Sequence, residues 1–462
     1  MRPVPITGVD GGFLYAESAS QPSTVLAVFS LDGPPVTLPA LTAHVAGRLH
    51  LVPWLRQVLR TVPFGIGHPV AEADDVFDLG HHVREVTLPV PGGAAQLDEL
   101  AASLAARRLD RRHPLWRLVL VHGLDGGRQA VILLVHHALV DGVALRTVLE
   151  RLFGPVPPTA TDAHEEPARS TAATRVVAAL AALARVIAGL PRLIVDTSRA
   201  LRAIDRRRAT AAVAVPGRDD TPPCAVNRGF DARRVTSRAT VERARFTDAR
   251  DATGTSLNDV LLAAVGGGLR RVLGPDGLLP DRPLTASIPV SLDPPDTHSR
   301  VAGNRVTTVT TTLATDEPDP AARCRRISEV TTEALAQLRA GDPSLPARWL
   351  ELAVPAIAEP AMRMWARRRR AQPDRADYNV LVSNVRGPAG DLRIGPARIG
   401  AVHQSGPTFD GAGVNITATS VGDRVDLAVL AHPDALPHPA ALLDGVRAEL
   451  DRLATGTPPP AP

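Results

Sequence analysis

Residues Val131–Leu145 read VILLVHHALVDGVAL. An apolar run ends in His136 and His137, and Asp141 and Gly142 follow closely. Polar side chains are costly to bury without partners, so this placement asks for a chemical reason. In a strand, successive side chains alternate between faces. Val131, Leu133, Val135 and His137 then share one face, and Ile132, Leu134 and His136 the other. The two imidazoles diverge, and no nearby cysteine or third histidine completes a ligand set, so no metal site is expected. A neutral imidazole at a strand end, facing a channel, can take a proton from a hydroxyl near pH 7. The same pair also suits two hydrogen-bonded core histidines. Asp141 can fix the turn, cap the following helix or pair with an arginine. A structural role is favoured, because nothing in the sequence asks for a second carboxylate base. Gly142 suits a sharp turn or a close backbone approach.

The elements that must position these residues follow from periodicity. STVLAVFSL, WRLVLVHGL and QAVILLVHHAL read as strands, the last two joined by a turn at DGGR (125–128). A helix starts near Asp141. LPALTAHVAGRLHLVPWLRQVL reads as a helix with a proline-broken continuation, and Leu97, Leu100 and Leu104 make one helical stripe. Residues 154–174 have linker composition. The stretch Arg175–Arg208 is helix-forming and expected to break near Pro191. Its arginines suit either a solvated face or an element resting on lipid. After a second linker, VAVPGRDDTPPCAVNRG, α/β alternation resumes. SLNDVLLAAVGGGLRRVL is a helix; PLTASIPVSL, NRVTTVTTTLAT and YNVLVSNVRGP are strands. GVNITATSVGDRVDLAVLAHP is a hairpin turning at Gly422–Asp423. The expected organisation is a first half at 1–153, a linker with basic helices at 154–235, a second half of similar content at 236–455, and a disordered tail at 456–462.

With 462 residues, 44% hydrophobic but only 3% aromatic, aliphatic side chains must carry the core. No lysine occurs, so all 52 basic side chains are arginine. The net charge of +4 fits anionic lipid surfaces or a phosphate-bearing ligand. Nucleic acid is not expected, since no basic block is interleaved with stacking aromatics. Cys224 and Cys324 form neither a metal-ligand pair nor a disulfide framework, which suits a reducing, cytoplasmic compartment. MRPVPITGVDGGFLY lacks an apolar core of signal-peptide length. VVAALAALARVIAGLPRLIV is interrupted by Arg185, Pro191 and Arg192, so no continuous membrane span is expected.

HHALVDG (136–142) resembles the H-H-x-x-x-D-G signature of the coenzyme A-dependent acyltransferase superfamily, which includes chloramphenicol acetyltransferase and peptide-synthetase condensation domains. More specifically, the chain resembles the bacterial wax ester synthase/diacylglycerol acyltransferase family. The resemblance is carried, in order along most of the chain, by GGFLYAES, FDLGHHVREVTLPVPGG, LDRRHPLWRLVLVHGLDGGRQAVILLVHHALVDG, SLNDVLLAAVGGGLRRVL and LVSNVRGP. It implies an α/β (α+β) fold of two chloramphenicol-acetyltransferase-like halves, each a mixed sheet with flanking helices, and a channel between them. It implies His137 as general base, with His136, Asp141 and Gly142 as supports. His81–His82 then sits on a structural strand, without the downstream Asp-Gly. Asn258 and Asp259 match the family's N-D motif, as channel residues or as a helix start. Ser383, Asn384 and Gly387, in SNVRGP, form a channel wall or a strand-end turn. Pro114–Trp116 (PLW) packs at a strand entrance. Three positions depart from the family pattern and bear on the acceptor geometry: Arg117 for an acidic residue, Arg386 for a proline, and Leu292 for an arginine.

The function so implied is transfer of a long-chain acyl group from acyl-CoA to diacylglycerol, and also to a fatty alcohol. It needs no cofactor beyond acyl-CoA as co-substrate. The basic stretch at 175–208 adds the expectation of a cytoplasmic protein that sits peripherally at the inner face of a membrane or on lipid droplets. The competing readings are a condensation-type acyltransferase acting on a specialised metabolite and a non-catalytic lipid-binding protein of the same fold.

Overall fold

The computed structural model describes residues 4–155, 170–294, 300–372 and 374–455. Most of the linker expected at 154–174, and all of the tail expected at 456–462, lie outside the described residues. Two six-stranded mixed sheets and one small three-stranded sheet are flanked by helices. The first sheet runs Arg393–Ile394, Ala397–Ser405, Thr24–Asp32, Gln129–His136, Trp116–His122, Val83–Thr87. Every residue of Gln129–His136 is buried. This is the reason its sequence reads as an unbroken apolar run: an inner strand with both faces covered has no polar face to show.

The second sheet runs Val306–Thr312, Thr285–Ser291, Val380–Arg386, Val414–Val421, Arg424–Ala431, Val235–Glu242. Its hairpin turns at Gly422–Asp423 as expected, with Gly422 at φ 58°. Each large sheet carries its own aliphatic core.

The halves are not independent. Ala397–Ser405, from the second half of the chain, pairs antiparallel with Thr24–Asp32 in the first sheet. A boundary at 235/236 therefore does not separate the sheets. Asp426, buried on the second sheet, holds the crossing strand by accepting from the Val402 amide at 2.7 Å, and it also accepts from Thr240 Oγ1 at 2.7 Å.

The basic stretch is one helix, Ala172–Thr210, not a pair broken near Pro191. A proline removes one backbone donor and bends a helix, but packing on both sides can carry the helix through it. Here Leu190 and Leu193 pack with Leu345 and Leu352. By length and composition this helix could cross a membrane. In the structure it runs along the body, tied by Arg175–Glu72, Asp196–Arg348 and Arg207–Glu333.

His81–His82 is also corrected. The pair belongs to a helical turn, Leu79–His82, because Asp78 caps it by accepting from the Gly80 amide. His82 is buried against Trp116, with ring centroids 4.5 Å apart, and its Nδ1 contacts the Trp116 carbonyl at 2.9 Å.

Candidate active site

The two histidines part company at the strand end. His136 is fully buried. Its Nδ1 accepts from the Ala138 amide at 3.1 Å, so the proton resides on Nε2, which approaches Glu17 at 3.4 Å. Burial works to raise the Glu17 carboxyl, but His136 and Arg111 hold it below its usual range. His136 thus fastens the N-terminal helix Gly8–Ala16, through the Glu17 that ends it, to the central strand.

His137 faces a cavity of about 380 Å³ whose walls are mostly apolar, among them Phe13, Val25, Leu145 and Leu381. Phe13 stacks on the imidazole with centroids 4.0 Å apart. The Nδ1 of His137 contacts Asn304 Oδ1 at 3.1 Å. Both amide hydrogens of Asn304 are spent elsewhere: Nδ2 donates to the His137 carbonyl and to Asp10 Oδ1, each at 2.8 Å. The Asn304 oxygen is therefore an acceptor only, and His137 Nδ1 must carry the proton. This leaves Nε2 unprotonated and basic. Burial pushes the imidazole below its ordinary range, against the pull of its own carbonyl, Asp141 and Asn304.

Asp10 is the anchor behind Asn304. It accepts from the Asn304 amide at 2.8 Å and closes a capping box with Thr7, whose hydroxyl donates to it at 2.7 Å. Burial raises the Asp10 carboxyl pKa even with these donors. Asp10, Phe13, Glu17 and Asn304 were not singled out in the sequence. The local signal for Asp10 is Thr7-x-x-Asp10; Asn304 has none, since its role depends on a contact across 167 positions.

Asp141 caps the helix Gly142–Phe153, accepting from the Ala144 amide at 2.9 Å. Both of its oxygens take Arg300 Nη2 at 2.8 Å, and Oδ2 also takes the Arg305 amide at 2.9 Å. The capping and arginine-pairing options raised by the sequence thus hold together. Arg300 also binds Asp293. At Gly142 a Cβ would come within 3.0 Å of Val385, so glycine permits the approach of this helix to the second sheet.

A second cavity, of about 260 Å³, shares Asp141, Gly142 and Ser383 with the first and adds Arg146, Asn384 and Arg386. Ser383 and Asn384 thus line the site. Gly387 lines neither cavity; its amide bonds Ser420 O at 2.9 Å, and a Cβ there would strike Val421. Asn258 and Asp259 are not brought to the site either. Asp259 closes a capping box with Ser256, accepting from its hydroxyl at 2.7 Å at the start of Leu257–Leu273. The helix-start reading of these two residues is the one observed. Of the departures from the family pattern, Arg386 enters the second cavity, while the Leu292 amide bonds Arg305 O at 2.8 Å.

Two paired lobes, with an imidazole at the strand end where they meet, are the arrangement that the sequence resemblance to acyltransferases implies. The same fold is found in a wax ester synthase/diacylglycerol acyltransferase from Marinobacter aquaeolei (TM-score 0.67, 24% identity, covering 98% of this chain and 99% of that one). It is also found in the first condensation domain of the calcium-dependent antibiotic synthetase (TM-score 0.62, 18% identity, covering 98% and 97%). The catalytic-domain profile of the wax ester synthase/diacylglycerol acyltransferase family matches residues 6–261, and its C-terminal-domain profile matches 302–454. A Mycobacterium tuberculosis protein named as a diacylglycerol O-acyltransferase is 31% identical over 464 residues, covering 97% of this chain and 89% of its own. A similarly named Mycobacterium bovis protein is 32% identical over 472 residues, covering 97% and 90%. The chain belongs to the wax ester synthase/diacylglycerol acyltransferase family, and its activity is that of an acyltransferase.

Proposed function

We propose that the protein moves a long-chain acyl group from acyl-CoA to the free hydroxyl of diacylglycerol, giving triacylglycerol, and to a long-chain alcohol, giving wax ester. The observation that carries this reading is the tautomer of His137: Nδ1–H is committed to Asn304, and the basic Nε2 is left for the apolar cavity. Nε2 takes the acceptor hydroxyl proton as the oxygen attacks the thioester carbonyl. The tetrahedral oxyanion draws on a donor such as Ser383, which stands where the two cavities meet. Collapse breaks the C–S bond, and the imidazolium returns its proton to the leaving coenzyme A thiolate. No acyl-enzyme is required, since the histidine acts on the acceptor directly. Arg386 suits the second cavity to the phosphate-bearing donor. The test is His137→Ala in the purified chain, supplied with labelled palmitoyl-CoA and either acceptor. Loss of ester formation with an unchanged melting temperature is expected; near-normal turnover would sink the assignment.

We further propose that the protein works in the cytoplasm, on an anionic lipid surface. Along Ala172–Thr210, Val177, Leu180, Ile187, Ile194 and Leu201 are all exposed, with Arg185, Arg192 and Arg199 beside them. Phe64, 87% exposed, projects from a turn next to this helix and to Pro355–Ala371, where Ile357 is 63% exposed. Apolar side chains rimmed by arginines match acyl chains beneath anionic headgroups. Co-sedimentation with phosphatidylglycerol vesicles is expected, and phosphatidylcholine vesicles should bind less. Ile187→Glu combined with Ile194→Glu should abolish it; undiminished binding by that variant counts against the face.

A further inference from the structure

The helix Pro355–Ala371 brings Trp365 and Arg369 to the wall of the same cavity that holds His137. Arg369 is only 7% exposed, yet its donors are largely unspent. Among the described residues its Nε has no partner, and its one hydrogen bond, from Nη2 to the Gly411 carbonyl, is long at 3.4 Å. It makes no ion pair among the described residues. The carboxylates whose fields reach it are engaged elsewhere: Asp377 with Arg218, and Asp410 with Arg370 at 3.3 Å. The guanidinium carbon lies over the Trp365 ring, 5.7 Å from its centroid, a contact that uses no N–H.

The chain also makes room for this group. Gly411 has φ 80°, and a Cβ there would come within 2.4 Å of Arg369 Nη2. A buried guanidinium with idle donors is an expensive arrangement unless a ligand oxygen completes it. Much of the remaining cavity wall is aliphatic or aromatic, so the ligand is largely hydrocarbon with an oxygen at this point. The oxygen being acylated belongs at His137. Arg369 therefore addresses a different oxygen on the same molecule.

We infer that Arg369 recognises an ester carbonyl of a glyceride acceptor, and so favours diacylglycerol over a plain long-chain alcohol, which has no second oxygen. This rests on the acyl transfer proposed above. It is a specificity role, separate from the proton transfer at His137.

The experiment compares dioleoylglycerol and hexadecanol as acceptors, with palmitoyl-CoA as donor, in the full chain and in Arg369→Met and Arg369→Lys. Arg369→Met should lower kcat/KM for dioleoylglycerol by about tenfold or more, chiefly through KM, while hexadecanol changes by less than about twofold. Arg369→Lys should recover part of the loss. The hexadecanol rate doubles as the control for folding. An equal fall with both acceptors would place Arg369 on the shared acyl donor or in the fold and overturn the inference. So would no change with either. If the unaltered chain esterifies neither acceptor, the acyl-transfer reading itself fails, and this inference fails with it.

Discussion

Replacing Asn304 with Ala tests the logic of the site most sharply, because Asn304 touches the base without touching the reacting atoms. The substitution removes three contacts: Oδ1 to His137 Nδ1 at 3.1 Å, and Nδ2 to the His137 carbonyl and to Asp10, both at 2.8 Å. In the resting state the first is an ordinary neutral hydrogen bond. When Nε2 takes the acceptor proton, the ring becomes an imidazolium and that bond becomes charge-assisted, worth about 1.5–3 kcal/mol. The neutral bond is lost from the ground state too, so only the strengthening, about 1–1.5 kcal/mol, enters kcat, which should fall roughly 5- to 13-fold. The effect exceeds a binding effect because the bond strengthens only as the proton moves. The pH profile should move as well. Activity needs the neutral imidazole, so the rate rises with pH through the His137 pKa, which burial already places below the ordinary histidine value. Asn304 pulls that pKa upward, so Asn304→Ala should shift the acid limb to lower pH. Asn304→Asp, which sets a carboxylate against Nδ1, should shift it to higher pH. The assay is kcat and kcat/KM against pH with saturating palmitoyl-CoA, alongside a melting curve. A lowered melting temperature with unchanged kcat and an unmoved acid limb would refute the reasoning and leave Asn304 as a tie between the lobes.

Other expectations follow from the same geometry. Ser383→Ala should lower kcat about 100-fold with little change in KM, if its hydroxyl meets the oxyanion; an unchanged kcat removes it from the mechanism. Arg386→Glu should raise KM for acyl-CoA about tenfold and weaken its salt dependence, leaving KM for the acceptor alone. Asp141→Asn should destabilise the chain by about 1–3 kcal/mol, because Arg300 loses a carboxylate that it shares with the helix cap, and urea midpoints would read this loss. Burial pushes His82 down to about 4 from 6.5. The unfolded chain therefore takes up this proton first as pH falls. Stability should be full above about pH 6.5 and drop by ~3 kcal/mol on approaching pH 4, with a shallower decline in His82→Gln.

What could be read from the sequence is what is local to it. The divergence of His136 and His137 follows from strand alternation, and the capping role of Asp141 from its place before a helical run. The capping box of Ser256 and Asp259 was equally local, and it prevailed over the channel role suggested by the family motif. The continuity of the helix through Pro191 was not readable, because it depends on packing against Leu345 and Leu352, far along the chain. Nor was the strand Ala397–Ser405. It reads ARIGAVHQS, in which Gly400 weakens the strand signal at the bulge, and its partner lies in the other half of the chain.

The same distinction explains where the site lies. The first sheet supplies His137, but a base needs its second nitrogen held, and among the described residues the side-chain acceptor on Nδ1 is Asn304. Asn304 comes from the loop leading into the second sheet, where Gly303 pairs with Val140 and its amide bonds Leu139 O at 2.7 Å. Asp10, from the N-terminal helix, then fixes Asn304. Three segments distant in sequence thus converge on one imidazole, and two of them meet only when the lobes dock. Docking therefore does more than enclose a cavity: it selects the tautomer in which Nε2 is basic. A chain in which each lobe folded but the contact of Gly303–Asn304 with Leu139–Val140 was lost would keep its histidine and lose the side-chain acceptor that holds its Nδ1 proton.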